Sequence, residues 1–188
     1  MDVEKLVDFI KARELVRKAH DKGYRDLQSV SGLDPIITKY RFCNVRRNDD
    51  RVTKWIHLNY MDLNDPFPWF TLTVARLFNY PQSLSNIKQA VIPFRPATMA
   101  NILQKRKLAG LKNFNAAYIV STHGRAMDKV TYLIEEVLEP LWAKREAISA
   151  SLRGATLAQA HELLERQNGL GSFMAAQVVA DLKYADPD

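Results

Sequence analysis

From Val3 to Ala19 the apolar residues Val3, Leu6, Phe9, Ile10, Leu15, Val16 and Ala19 recur mostly three or four positions apart, the period of an amphipathic helix, and Gly23 closes the run. Asp34-Pro35-Ile36-Ile37 places a proline directly behind an aspartate, which reads as a helix start. Val52, Trp55, Ile56, Asn59, Tyr60 and Leu63 repeat the helical spacing, with Asp49 or Asp50 as N-cap. Asn64-Asp65-Pro66-Phe67-Pro68 breaks the chain ahead of a strongly apolar helix from Trp69 to Phe78 that stops before Pro81. Further on, the pattern predicts a short helix over Asn86–Val91, a turn framed by Pro93 and Pro96, and a helix over Ala97–Lys107. A long helical stretch covers Ala126–Trp142, where Pro140 marks a break or a kink. Thr156–Arg166 and Ser172–Tyr184 follow as two helices joined by Asn168-Gly169-Leu170-Gly171. Ala116–Ser121 fits a short strand and a buried helical piece equally well. The fold expected is all-α, a single helical domain over residues 1–188 with residues 156–184 as a helix-hairpin-helix subregion.

Composition narrows the function classes. No run of about eighteen apolar residues exists, so nothing is expected to span a membrane. The amino-terminal stretch is charged and there is a single cysteine, Cys43, which together point to a reducing, cytoplasmic setting. The formal net charge of +6 suits a polyanionic partner. The four histidines are dispersed and Cys43 has no cysteine neighbour, so neither a metal site nor any other cofactor is expected. No Gly-x-x-x-x-Gly-Lys-Ser/Thr loop and no Gly-x-Ser-x-Gly elbow occurs.

The candidate chemistry gathers in two places. Residues 40–51 read Tyr-Arg-Phe-Cys-Asn-Val-Arg-Arg-Asn-Asp-Asp-Arg. Arg41, Arg46, Arg47 and Arg51 offer planar forks for phosphate or carboxylate, Asn44 offers donors and acceptors, and Asp49 and Asp50 accept protons or cap a helix. The same block reads equally as a loop whose arginines are solvated or pair with its aspartates. The second place is Gly169-Leu170-Gly171-Ser172-Phe173-Met174-Ala175, a Gly-x-Gly turn opening an apolar helix, with the small Ala175 allowing close packing. Its backbone amides suit a phosphate, and the alternative is a helix corner with Gly169 as a C-cap. Thr122-His123-Gly124-Arg125 reads chiefly as a polar turn. Asp128 and Lys129 follow on a helix, free to pair with neighbours or reach a ligand. Asp181 sits among Val178, Val179, Leu182 and Tyr184, at a core boundary where a carboxylate needs a partner or faces a cleft. Phe173, Ala176, Val179 and Ala180 are the expected inward face of that helix.

Several of these blocks coincide: Asp34-Pro35-Ile36-Ile37, Tyr40 to Arg47 with Asp50-Arg51-Val52-Thr53, Ala117 to Thr122, Asp128-Lys129, and Gly169 to Tyr184. Together they resemble the alpha-glutamyl/putrescinyl thymine pyrophosphorylase family, also described as the helical domain of 5-hydroxymethyl-deoxyuridine DNA kinases, over most of the chain. That family is associated with phage thymine hypermodification and is distantly similar to helix-hairpin-helix DNA glycosylases, some relatives being implicated in antiphage defence. The resemblance implies a protein that takes a modified pyrimidine out of the DNA stack and excises or processes it, as a hydrolase. The alternative is a non-catalytic helical module working with a separate 5-hydroxymethyluracil DNA kinase or transferase. In the enzymatic scheme Gly169, Gly171 and Ser172 grip a phosphate, with Lys183 as a further nucleic-acid contact. Arg41, Arg46 and Arg47 hold the backbone or the modified group, Asn44 reads the base edge, and Asp181 or Asp50 supplies the catalytic carboxylate. Phe42, Trp55 and Tyr184 are the candidate base-stacking rings, with core packing as their alternative. The partner implied is DNA containing modified pyrimidines. The family pattern usually continues beyond Asp181-Leu182-Lys183-Tyr184, so DNA binding is implied more directly than catalysis.

Overall fold

The computed structural model describes residues 3–24, 26–27, 32–40, 42, 44–62, 64–116, 120–122 and 124–185. It divides into two compact units, Met1–Thr53 and Lys54–Asp188. All regular structure among the described residues is helical, as the patterning predicts. The possible strand at 116–121 falls largely on residues 117–119, outside the described residues, as does Leu63.

In the first unit, α1 (Val3–Asp21) and α2 (Pro35–Lys39) form where the pattern places them. Asp34 caps α2 by accepting from the Ile36 amide at 2.7 Å, so the Asp-Pro signal acts as expected. Of α1 only Ala19 is buried. Arg17 bridges Glu14 and Asp21 along its polar side, and the Arg17 hydrogen bond draws the Glu14 carboxyl below its usual range.

In the second unit the least polar helix is the core. Each residue of α4 (Pro68–Phe78) from Trp69 onward is buried, the pattern of a helix packed on every side. Asn79 ends it in the left-handed conformation, φ 46°, donating its amide to the Ala75 carbonyl at 2.8 Å. Ahead of it in sequence lies α3 (Arg51–Tyr60). Pro81, expected only as a stop, also opens α5 (Pro81–Ile87), because a missing amide costs nothing in a first helical turn. The short helix expected over 86–91 is therefore the tail of α5 and a 3₁₀ turn, Lys88–Ala90. Then comes α6 (Pro96–Leu108).

The long helix expected over 126–142 begins at α7 (Lys129–Thr131), widens into a π-helical segment, Tyr132–Leu138, and returns to α8 (Glu139–Ala143). Pro140 has no amide to give the carbonyl four residues back. The Glu139 amide bonds Ile134, five residues back, so the wide turn carries the chain past the proline without a break. α9 (Arg145–Leu152), which has only Ile148 buried and so a weak apolar signal, was not expected. α10 (Leu157–Glu165) starts at Thr156 with a capping box to Gln159, and α11 (Gly171–Ala185) ends the described chain. α11 packs along both α10 and α4. Phe67, Phe70, Phe94 and Trp142 cluster beside α4 with ring centroids 5.1–6.0 Å apart.

Tyr60 ties α3 to α5, its hydroxyl donating to the Leu84 carbonyl at 2.6 Å, and burial pushes its phenol well above the usual value. A group held neutral by the fold stabilises it fully below its unfolded pKa, about 10, and that contribution fades as pH rises toward the folded value. Unfolding free energy is therefore expected to fall above about pH 10. Tyr60→Phe should flatten that decline in urea titrations, and an unchanged slope would show the phenol to be solvent-accessible.

Candidate functional site

Three helices of the second unit aim polar groups at one buried point. Arg76, on α4, is fully buried and grips Asp181, on α11, with both arms of its fork: Nε donates to Oδ2 at 2.5 Å and Nη2 to Oδ1 at 2.8 Å. A third arm, Nη1, reaches Asn79 Oδ1 at 3.4 Å. His57, on α3, brings Nε2 to 3.0 Å from Asp181 Oδ1, its side chain 16% exposed. The Tyr184 ring lies 5.2 Å from the imidazole, and the Lys183 ammonium stands 4.8 Å over the Tyr184 ring. Asp181, expected at a core boundary either with a partner or facing a cleft, is wholly buried and held by Arg76 and His57. Of the expected inward face of α11, Val179 is buried and Ala180 half-buried, whereas Phe173 and Ala176 are exposed. Met174, Ala175, Val178 and Asp181 point in, whereas Phe173 is 59% exposed, because burying the small Ala175 lets α11 approach its neighbours closely.

The turn between α10 and α11 (residues 166–170) is docked from beneath. Pro140 frees the Glu136 carbonyl four residues earlier, and Asn168 Nδ2 donates to it at 2.7 Å. Gly169, at φ +82°, lies so close that a Cβ would meet Val137 Cγ2 at 2.4 Å. Gly171, at φ +56°, faces open space. His161 Nε2 reaches the Ser172 carbonyl at 3.0 Å and its hydroxyl at 3.3 Å. The first amides of α11 have no partner within the helix, and Gly171 and Ser172 are exposed there. A docked turn with exposed residues at the positive end of a helix suits an anionic oxygen.

The arginine block lies in the first unit. Asp50 accepts from the Thr53 amide at 2.7 Å and so caps α3, one of the two roles foreseen for it. Arg47, Asn48 and Asp49 form a 3₁₀ turn. Arg46 is mostly exposed and reaches Glu14 at 3.8 Å. Asn44 is exposed. Phe42 meets Phe9 edge-on at 5.5 Å with Arg13 over both rings, so one face of it is occupied by packing. Trp55, in the second unit, is half-buried against Tyr60 at 5.8 Å. Arg41, Cys43 and His123 fall outside the described residues.

Elsewhere, Asp128 caps α7 through the Val130 amide at 2.9 Å and pairs with Lys107, which together hold its carboxyl below the usual range. Lys129 is half-buried with its ammonium 4.3 Å over Phe114, and desolvation lowers it from its ordinary value. Among the described residues there is no group of side chains able to hold a metal ion, and no helix is long and apolar enough to cross a membrane.

A small all-helical protein with a docked Gly-x-Gly turn and an internal Arg-Asp-His cluster defines a class of helical domain. The chain belongs to the family described as the helical domain of 5-hmdU DNA kinase (5-hydroxymethyl-deoxyuridine), whose family model matches residues 2–187. No curated protein and no solved structure matches it, so the expected likeness to DNA glycosylases has no counterpart among them. His57 and Arg76 escaped the sequence reading. Arg76 did carry a signal, being the one charged residue in the run Trp69–Phe78, and a charge inside a buried helix calls for a partner.

Proposed function

We propose that this chain engages DNA carrying 5-hydroxymethyluracil or a pyrimidine derived from it, as a helical module that holds the nucleotide for a phosphate-transferring site on another domain or polypeptide. The observation that carries this reading is the α10–α11 turn. It is fixed to the π-helical segment through Asn168 and Gly169 while Gly171 and Ser172 face outward, an arrangement suited to a DNA phosphate. The family description supports the kind of DNA, and assigning phosphoryl transfer to another domain or polypeptide agrees with a chain that carries no Gly-x-x-x-x-Gly-Lys-Ser/Thr loop. Base excision by this chain is the less favoured reading: Asp181 is enclosed against Arg76 and Asp50 caps a helix, whereas excision calls for a carboxylate open to the sugar.

Fluorescence anisotropy with oligonucleotides bearing 5-hydroxymethyluracil tests the reading. Affinity should fall linearly with salt on logarithmic axes. Gly171→Asn, a residue that tolerates positive φ, should weaken binding about tenfold by placing a side chain over the amides while leaving helical circular dichroism intact. Unchanged affinity in that variant would make the turn structural. Alkali-labile sites appearing at the modified base would assign excision to the chain and overturn the module.

A further inference from the structure

His57 has one nitrogen committed and one open. An ionised carboxylate only accepts hydrogen bonds, so the network assigns the ring hydrogen to Nε2, which donates to Asp181. In the neutral ring Nδ1 is then a lone-pair acceptor. It makes no hydrogen bond to any described residue. The His57 side chain is 16% exposed, whereas the Asp181 that holds Nε2 is fully buried. The imidazole is fixed by a carboxylate that is itself fixed by Arg76. Beside the imidazole stand the Tyr184 ring, 45% exposed, and the Lys183 ammonium over that ring. An acceptor, an exposed ring and a cation match the parts of a nucleotide: a donor on the base, its flat face and its phosphate.

We infer that His57, Tyr184 and Lys183 form a nucleotide subsite in which Nδ1 accepts from the hydroxyl of a 5-hydroxymethyl pyrimidine, with Asp181 and Arg76 as positioning residues. The inference rests on the DNA-binding reading above and names what discriminates the modified base. Thymine presents a methyl group at the same place and has no donor there. Tyr184 supplies stacking, which does not distinguish the two bases, and Lys183 supplies phosphate attraction, which distinguishes them even less.

His57→Gln is the decisive variant, because the amide nitrogen of glutamine replaces Nε2 as donor to Asp181 while nothing replaces Nδ1. Anisotropy on the full chain would compare matched oligonucleotides carrying one 5-hydroxymethyl-deoxyuridine or thymidine. The wild-type protein should prefer the modified strand about tenfold, the worth of one well-placed hydrogen bond. His57→Gln should abolish that preference with thymidine affinity and melting temperature nearly unchanged. Tyr184→Ala should weaken both strands by about five-fold or more. Long-range nitrogen–proton NMR should show the Nε2–H tautomer, with Nδ1 moving on addition of the modified strand alone. A His57→Gln protein that keeps the preference, or that loses both strands equally, overturns the inference while leaving DNA binding in place. A wild-type protein that binds neither strand removes the DNA reading itself and the inference with it.

Discussion

Asp181→Ala is expected to lower the unfolding free energy by about 3–5 kcal/mol, because it leaves the guanidinium of Arg76 buried without its counter-charge. Arg76 and Asp181 are both fully buried, and an isolated charge cannot be rehydrated there without opening the contact between α4 and α11. Arg76→Met alone should cost a similar amount by stranding the carboxylate. The double variant Arg76→Met, Asp181→Leu should recover most of the loss, since an apolar pair of comparable volume often equals or exceeds a buried ion pair. Urea denaturation followed by circular dichroism measures all three. A cost under about 1 kcal/mol for Asp181→Ala would show that water reaches the pair.

Gly169→Ala is expected to destabilise by about 2–4 kcal/mol, combining left-handed backbone strain with overpacking. At φ +82° any side chain is strained, and its Cβ would fall 2.4 Å from Val137 Cγ2. Val137→Ala in the same chain should relieve the collision and leave the strain, so the two changes will couple in a double-mutant cycle. Gly171→Ala isolates the conformational part, because its Cβ meets nothing within 4 Å, and should cost about 1 kcal/mol. Equal costs at the two glycines would mean that the turn does not press on the π-helical segment.

What the sequence disclosed follows from the range of the interactions involved. Helix starts were legible because they are written in neighbouring residues: Asp34-Pro35 at α2, and Asp49 or Asp50 at α3, of which Asp50 is the cap. The π-helical path past Pro140 was foreseen only as a break or kink, since the hydrogen-bond shift that absorbs a proline leaves no mark in the pattern. On α11 the close packing of Ala175 and the burial of Val179 were legible, whereas Phe173 was placed inward because a large ring dominates a hydrophobic pattern even where it stands in solvent. The ion-pair cluster was half legible. Asp181 was marked as needing a partner, but its partners lie 105 and 124 positions away, and a single chain gives no means of pairing residues at that separation. Asn44 and Arg46 are exposed and Arg47 is half-buried beside them, and nothing in the local sequence distinguishes a ligand site there from a structural loop.

The span between Arg76 and Asp181 also sets an order of assembly. On a ribosome the most apolar helix of the chain emerges with its cation 105 positions before the matching carboxylate. Until α11 arrives, α4 can collapse with its neighbours only by leaving Arg76 at the surface of the nascent cluster, where it stays hydrated. Native packing of α4 on α11 thus waits on a contact of high sequence separation, the kind that slows folding.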